Sequence, residues 1–545
     1  MLSFGAASPL FAQPDPQYAV PLKIDYRISG AYAELRGNHF HAGLDMGTAG
    51  VENIDVHAAD DGWVSRVKVG PYGYGRALYI DHPDGHTSVY GHLNGFAAKI
   101  DSVVRAEQYA RQSFSVDLYL DRNRISVRRD EVVAFSGNTG GSGGPHLHFE
   151  VRDSKTSEPL NPLRFIPTAP DVTPPTIFGV KAYAVDSNSQ IAGASADKYF
   201  PAQSISGKSI DVSGRISFGI HCTDYIVKGG RPCGVIEISL FANDSLVFHS
   251  RVDHFSFDFN RHVNSHIDFA ERLSSKRFVQ RSLKSPGNLL PIYSDVHTPL
   301  VVPDGKVVNM RYVVRDFAGN SSSISFKVIG RRNASAAPRP LPLGDLVHWQ
   351  RTWTKDTLGV EVLIPRESLY DDDYVEIARA GSGYRVGRPS VPLQKPFSIS
   401  LVVPRRLQAF GAQLFVAQVD NGQPSYVGGS LNAAAGTITA QASSFGTFAL
   451  AVDSVPPAVR IRNKSSNVPL SGLISIGVSD NLSGISDYSV FIDGRWEVFE
   501  YDYKNARLKA SPAYLRLSRG QHSLHAVVRD ACGNVRSFDW AFRVI

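Results

Sequence analysis

Cysteine is scarce in this chain: three in 545 residues, with no C-x-x-C pair among them. A cysteine-ligated metal site is therefore excluded, and one internal bridge is the most the chain can form. Cys222 and Cys233, eleven residues apart across a loop, are the expected pair in an oxidising compartment, which leaves Cys532 as a buried small hydrophobe. Long hydrophobic runs are missing too. No apolar stretch reaches the roughly 18 residues that cross a bilayer. An excess of one charge sign is also lacking. The 57 basic and 51 acidic residues leave a net charge of +6, and no basic cluster is interleaved with aromatics. A nucleic-acid partner is not expected, whereas a polyanionic envelope surface suits the balance. Residues 1–13 look like the tail of a secretory signal peptide, with cleavage expected after Ala12, although the basic leader such peptides carry is absent. Secretion or a place in the cell envelope is the corresponding expectation.

What the chain does have is glycine and proline, 47 and 32 of them, around short β-rich runs. That composition predicts a mainly β architecture. The length predicts several domains, because single cores stop growing near 250–300 residues. Prolines 167, 170, 174 and 175 mark one linker, and prolines 338, 340 and 342 mark another. Between and beyond them lies a weak repeat. Asp171-Val172-Thr173-Pro174-Pro175 recurs as Asp453-Ser454-Val455-Pro456-Pro457, and Asp316-Phe317-Ala318-Gly319-Asn320 recurs as Asp530-Ala531-Cys532-Gly533-Asn534. The second motif suits a turn, because Gly and Asn tolerate positive φ. Three β-sandwiches are predicted, at 172–331, 344–452 and 455–545. The outer two resemble bacterial immunoglobulin-like domains, and the middle one has no recognisable family. Asp371-Asp372-Asp373 lacks the ligand spacing of a calcium loop and reads as a solvated turn.

The chemistry is concentrated near the N-terminus. His146-Leu147-His148 ends a glycine-rich run that starts at Gly137, and about 100 residues upstream stands His41-Ala42-Gly43-Leu44-Asp45. Residues two or four apart on a strand face the same way. His146 with His148, and His41 with Asp45, are thus placed to look into one groove. Two histidines and one carboxylate make a three-ligand zinc set with a fourth position open for water, the layout of a catalytic site. A third element, Tyr90-Gly91-His92-Leu93, follows a predicted hairpin turned at Pro83-Asp84-Gly85, with Tyr90 and His92 expected on one face. The run from Gly70 to Gly75 reads as a turn and not as a phosphate loop. His39 competes with His41 as first ligand, and the spacing to Asp45 favours His41. His57, His82 and His86 read as ordinary strand or turn residues. Glu150 could share the groove face but reads as a surface or core-edge carboxylate.

These blocks, in this order, resemble the lysostaphin-type (LytM-like) zinc metallo-endopeptidases of bacterial cell walls, over residues 20–168. The resemblance implies a small antiparallel β-sheet domain with a groove, Zn2+ as cofactor, and the peptide stems or bridges of peptidoglycan as substrate. It also implies His41, Asp45 and His148 as zinc ligands, with His92 and His146 as active-site histidines that do not bind the metal. The stretch between Leu93 and Asp130 is longer than a compact member of the family needs. Residues 100–114 within it predict a helix, with Asp101 or Ser102 as N-cap and Val103, Val104, Tyr109 and Phe114 on its apolar side. Such a helix either packs outside the sheet or forms a wall over the groove. The expected activity is a secreted zinc endopeptidase that cuts peptidoglycan cross-links. Two other readings remain open: a catalytically silent binding or activator module, and an envelope adhesin led by the sandwiches.

Overall fold

The computed structural model describes residues 17–167, 171–226 and 230–545, so the expected signal remnant at 1–12 lies outside the described residues. The N-terminal part is built on a nine-stranded sheet. At its centre the strand His146–Asp153 pairs antiparallel with Leu44–Gly47 on one side and His86–Leu93 on the other. His86–Leu93 continues into Arg76–Asp81 through the Pro83-Asp84-Gly85 turn, where Gly85 adopts φ +89. The central strand alternates as a half-covered strand should. Leu147, Phe149 and Val151 join Leu44, Met46, Leu78, Ile80 and Tyr90 in the core, while His146, His148, Glu150 and Arg152 stand on the opposite face. Each large buried side chain contributes about 1.5–3 kcal/mol of transfer free energy.

The helix runs over Ala98–Arg111 and begins without a side-chain cap at Ala97. Asp101 and Ser102 therefore lie inside it, and Phe114 lies beyond its left-handed end at Gln112. Its buried residues are Ile100, Val104 and Gln108, with Val103 and Tyr109 packed at the edge of the core. The outer end of the helix meets the C-terminal part of the chain. Tyr109 packs edge-on against Trp496 with centroids 5.5 Å apart and hydrogen-bonds Glu497, and the Arg105 guanidinium lies 4.5 Å over the Tyr514 ring. The helix is thus a seam between two domains, and among the described residues no hydrogen bond, ion pair or ring contact joins it to the five site residues.

Three pairs of packed β-sheets follow. The first joins strands such as Thr176–Ala184 and Arg215–Thr223 to a sheet containing Val307–Arg315 and Ser321–Gly330 around one apolar core. The second contains Val360–Ile364 and Phe397–Val402 in one sheet and Leu414–Asp420 and Gly446–Val452 in the other. The last sets Ile474–Ser479 and Arg507–Ala510 against Ile485–Ile492, Gly520–Asp530 and Val535–Val544. The first and last share a topology down to one parallel pairing, Ser209–Ser213 with Ser321–Gly330 and Asn467–Val468 with Val535–Val544. In both repeats the D-x-x-G-N turn uses its glycine at positive φ, Gly319 at +93 and Gly533 at +86.

Cys222 and Cys233 are both buried and unbridged. The local register sets Asp224, not Cys222, opposite Cys233. The Cys233 thiol donates to Arg231 O at 3.6 Å, and the Cys222 sulfur accepts from Gln280 Nε2 at 3.8 Å. Cys532 is buried against Phe415 and Ala417 of the middle sandwich. In the acidic run, Asp372 accepts from His348 at 2.8 Å and Asp373 pairs with Arg388.

Candidate metal centre and active site

His41 precedes its strand and Asp45 lies within it, so the two do not share one straight strand face. The chain bends at Gly43, where a Cβ would stand 2.4 Å from Phe149 O and 2.8 Å from Glu150 Cγ. Only glycine lets this bend pass so close to the central strand. The bend brings His41 Nε2 to 3.1 Å from Asp45 Oδ1 and 3.1 Å from His148 Nδ1. His148 Nδ1 lies 2.9 Å from Asp45 Oδ1. All three residues are buried. His39, by contrast, is exposed and bonds Asn38.

A tetrahedral zinc ion with bonds of about 2.0–2.2 Å holds its ligand atoms about 3.3–3.6 Å apart, so this triangle needs to widen only slightly around one. The other ring nitrogens agree with that use. His41 Nδ1 lies 2.8 Å from Ala31 O, which can only accept, so the ring donates there and leaves a lone pair on Nε2. His148 Nε2 lies 2.7 Å from Glu150 Oε1, which leaves Nδ1 free to ligate. A carboxylate or carbonyl behind a ligand histidine fixes its tautomer and raises its basicity. The residues present fit a zinc ion.

Glu150 is neither at the surface nor at the core edge. It is fully buried, with its carboxylate shared among His148, Arg152 Nε at 2.6 Å and the Tyr74 hydroxyl. Burial opposes its charge, yet Arg152 and His148 hold its carboxyl well below the usual carboxylate range. A second missed residue is Arg36, whose Nη2 donates to Asp45 Oδ2 at 3.2 Å and so leaves Oδ1 to face the histidines. Burial opposes the charge of Asp45 too, but the three imidazoles turned toward it, His146, His148 and His41, outweigh burial and hold it far below its ordinary value. Burial pushes His41 down, and it works against charge on His148 as well. There the hydrogen bonds to Asp45 and Glu150 prevail and raise the ring to about 9.

His92 and His146 complete the cluster, with ring centroids 4.8 Å apart. His146 Nδ1 lies 2.8 Å from Gly144 O, and its Nε2 is 3.5 Å from Asp45 Oδ1. His92 Nδ1 lies 2.8 Å from Thr139 O. Burial and the neighbouring His148 and His146 push His92 down to about 3, so it stays neutral. Each of these two rings therefore donates through Nδ1, which leaves Nε2 as its second polar atom. His92 has φ +60, strained for so large a side chain. That turn resets the strand's alternation, so Tyr90 does not share its face. Tyr90 lies in the core, where its hydroxyl accepts from Ala59 N at 2.8 Å. His57, His82 and His86 bond Asp130 O, Asp61 O with Ser88, and Asp84 respectively, away from the centre.

Residues 39–113 match the model of Peptidase family M23. The chain carries an M23 peptidase domain. Residues 344–453, the middle sandwich, match a Zu5-like domain. A DD-carboxypeptidase/endopeptidase Mpg of Neisseria meningitidis serogroup B is 32% identical over 133 residues, which is 24% of this chain and 24% of that protein. An uncharacterized metalloprotease of Haemophilus influenzae is 32% identical over 149 residues, 26% of each chain. The match thus spans about a quarter of these relatives' length. Among solved structures, the lysostaphin catalytic domain of Staphylococcus simulans is 20% identical and covers 26% of this chain and 90% of that one, with a TM-score of 0.20. A zinc-containing peptidase of Vibrio cholerae is 25% identical, covering 27% and 39%, also at 0.20. Scores this low add nothing to the family match.

Proposed function

We propose that the M23 domain is a zinc-dependent endopeptidase that hydrolyses peptide cross-links of peptidoglycan, in the cell envelope or outside the cell. The observation that carries this reading is the convergence of His41 Nε2, Asp45 Oδ1 and His148 Nδ1 within 3.1 Å of one another, each committed elsewhere through its remaining polar atom. Held by these three, zinc supplies Lewis acidity toward a peptide carbonyl and acidifies water. His92 and His146 supply the proton handling. With Nδ1 tied to a carbonyl, each Nε2 can take a proton from the attacking water and later give it to the leaving amine, the work of a general base and acid. His146, with 14% of its side chain exposed against 4% for His148, stands nearer the groove mouth. The neisserial relatives' name supports D,D-bonds of the peptide stem as the first substrate to assay. The sandwiches brace the peptidase and orient it at the wall.

The test is metal analysis combined with digestion of defined muropeptides read by mass. His148→Ala loses the metal. His146→Ala keeps it and loses turnover by about 100-fold or more. Equal metal loss in both variants means that the roles are misassigned. Stoichiometric zinc with no cleavage of any wall peptide supports the silent-module reading instead.

A further inference from the structure

The outer two sandwiches each gather three aspartates that the peptidase does not use. In the first these are Asp171, Asp224 and Asp316, and in the last Asp453, Asp480 and Asp530. Within each trio one carboxylate oxygen from each residue lies within 4.8 Å of the other two. The trios occupy matching places. One aspartate opens the D-x-x-P-P linker, one ends a strand of the first sheet (Arg215–Thr223 or Ile474–Ser479), and one opens the D-x-x-G-N turn. The asparagine of that turn fixes two of them in the same way twice. Asn320 Nδ2 donates to Asp171 O at 3.1 Å and Asp316 Oδ2 at 2.9 Å, and Asn534 Nδ2 donates to Asp453 O at 2.9 Å and Asp530 Oδ2 at 2.8 Å.

The middle aspartate of each trio is the informative one. Asp224 is 3% exposed and its Oδ1 is buried with no hydrogen-bond partner, and Asp480 Oδ1 is buried without a partner as well. A buried, unpaired carboxylate oxygen beside two further carboxylates is costly unless a proton or a cation offsets it. Burial, with Asp316 and Asp171 beside it, pushes Asp224 up to about 7, where a cation can displace the proton. Among the described residues, none of the six aspartates is ion-paired to a lysine or arginine. We propose that each trio binds a calcium ion. Oxygen-only donors of this charge select a hard cation, and calcium takes carboxylates in a flexible geometry that irregular loop ends can supply, whereas magnesium demands a near-ideal octahedron and keeps several of its waters. The first site also opens on a cavity of about 250 Å³ lined by Ala31, Tyr32 and Asn161 of the peptidase, room for water to fill the remaining coordination. A calcium ion there would tie the linker aspartate to the first sandwich where that domain meets the peptidase.

The first trio is the tighter site. In the last, Ser483 N and Oγ already donate to Asp453 Oδ2, at 3.1 and 2.6 Å, and Leu482 N and Gly484 N donate to Asp480 Oδ2. The test uses the full, zinc-loaded chain in buffer freed of calcium over a chelating resin. It is titrated with calcium chloride by calorimetry to about 10⁻³ M, the upper end expected for weak calcium modules, and its thermal unfolding is followed alongside. Two equivalents are expected, with a raised melting midpoint. Asp224→Asn loses the tighter equivalent and Asp480→Asn the weaker one, while zinc content stays unchanged in both. Because Asn also removes a repelling charge, calcium-free Asp224→Asn protein melts above the calcium-free parent, which shows that it folds. The proposal is overturned by the absence of bound calcium, by an unchanged stoichiometry in both variants, or by an equal response to magnesium chloride.

Discussion

The first and last sandwiches are built on one plan, and in both the chain around the hairpin that follows the same strand of the larger sheet, Glu237–Ala242 or Ile485–Ile492, reaches the peptidase. In the first sandwich, the segment after Ser245–Arg251 carries Val252 and Phe255 into a cluster with Tyr32, Phe40 and Ala42 of the peptidase. In the last, the segment after Ile485–Ile492 carries Trp496 and Glu497 to the helix, Glu500 to Arg76 at the start of the strand Arg76–Asp81, and Lys504 to the glycine-rich loop. The first grip is apolar and braces the ligand-bearing bend at His41. The second is polar and aromatic, and braces the loop that ends in His146. A shared frame therefore fixes where a sandwich touches its neighbour, and the connecting segment decides by what chemistry.

The largest contrast is expected from removing one residue in each grip. Arg76 is buried and donates to Glu500 at 2.7 Å across the domain boundary. Arg76→Ala leaves Glu500 buried with Lys509 as its remaining partner, and breaking such a pair costs about 3–5 kcal/mol. Arg76→Met combined with Glu500→Leu recovers part of that loss, since well-packed apolar replacements of a buried pair are often neutral, while Lys509, which loses its partner at 3.1 Å, has only its partial exposure to water in exchange. Phe255→Ala costs a similar 3–5 kcal/mol through the cavity it leaves, and no charge swap can rescue it. Chemical denaturation of the four proteins checks this. If the double substitution is as unstable as Arg76→Ala, the second grip is not electrostatic.

Much of the site was legible in the chain because its residues sit at fixed, short spacings. His146 and His148 do share a strand face, and His41 with Asp45 does reach His148. What escaped depended on contacts between distant segments. Glu150 shares a face with His148 in any strand reading, but its burial comes from Tyr74, which the turn at residues 70–75 swings over it. The face of Tyr90 was misread because the positive φ of His92 cannot be inferred from a two-residue period. The helix was legible, but its partner lies almost 400 residues away at Trp496 and Glu497. In the sandwiches both repeated motifs were visible. The third aspartate of each trio, at 224 and 480, has no motif of its own and emerges only when two strand ends meet. The Cys222–Cys233 bridge failed for the same reason, since sequence separation does not reveal which residue the register sets opposite.

Acid separates the grips next. Burial opposes the charge of Glu500, but Arg76 and Lys509 outweigh it and lower its pKa from 4.5. A carboxylate depressed on folding stabilises the fold above its unfolded value, and the contribution is lost as pH falls from 4.5 toward the folded value. The last sandwich should therefore begin to loosen below about pH 4.5, while the cluster around Phe255 has as its nearest acid-titrating neighbour His266, packed on Phe40 and kept neutral by burial down to about 4. Protection from hydrogen exchange at about pH 4.2, just above the titration of His266, compared with pH 7 should fall more along the helix Ala98–Arg111 than along residues 252–257. Equal loss of protection in both would erase the distinction.

The smallest effect on stability, and the most informative about function, is expected at Lys504. Its ammonium donates to Asn138 O, to Asn138 Oδ1 at 3.0 Å and to Ser142 O at 2.9 Å, so the last sandwich pins the loop from outside. The side chain is exposed, and Lys504→Ala should change stability by no more than about 0.5 kcal/mol. The loop it pins supplies Gly144 O and Ser142 Oγ, which hold His146 Nδ1 at 2.8 and 3.1 Å. Once the loop is freed, His146 samples more orientations while the three ligands are untouched. Zinc content stays at the parent level, and turnover of a muropeptide falls several-fold, short of the roughly 100-fold that a 1 Å misplacement can cost. Lys504→Arg, which can still donate to the loop carbonyls, recovers part of the loss. An unchanged turnover in Lys504→Ala would mean that the glycine-rich loop holds His146 unaided, and that the last sandwich braces only the helix.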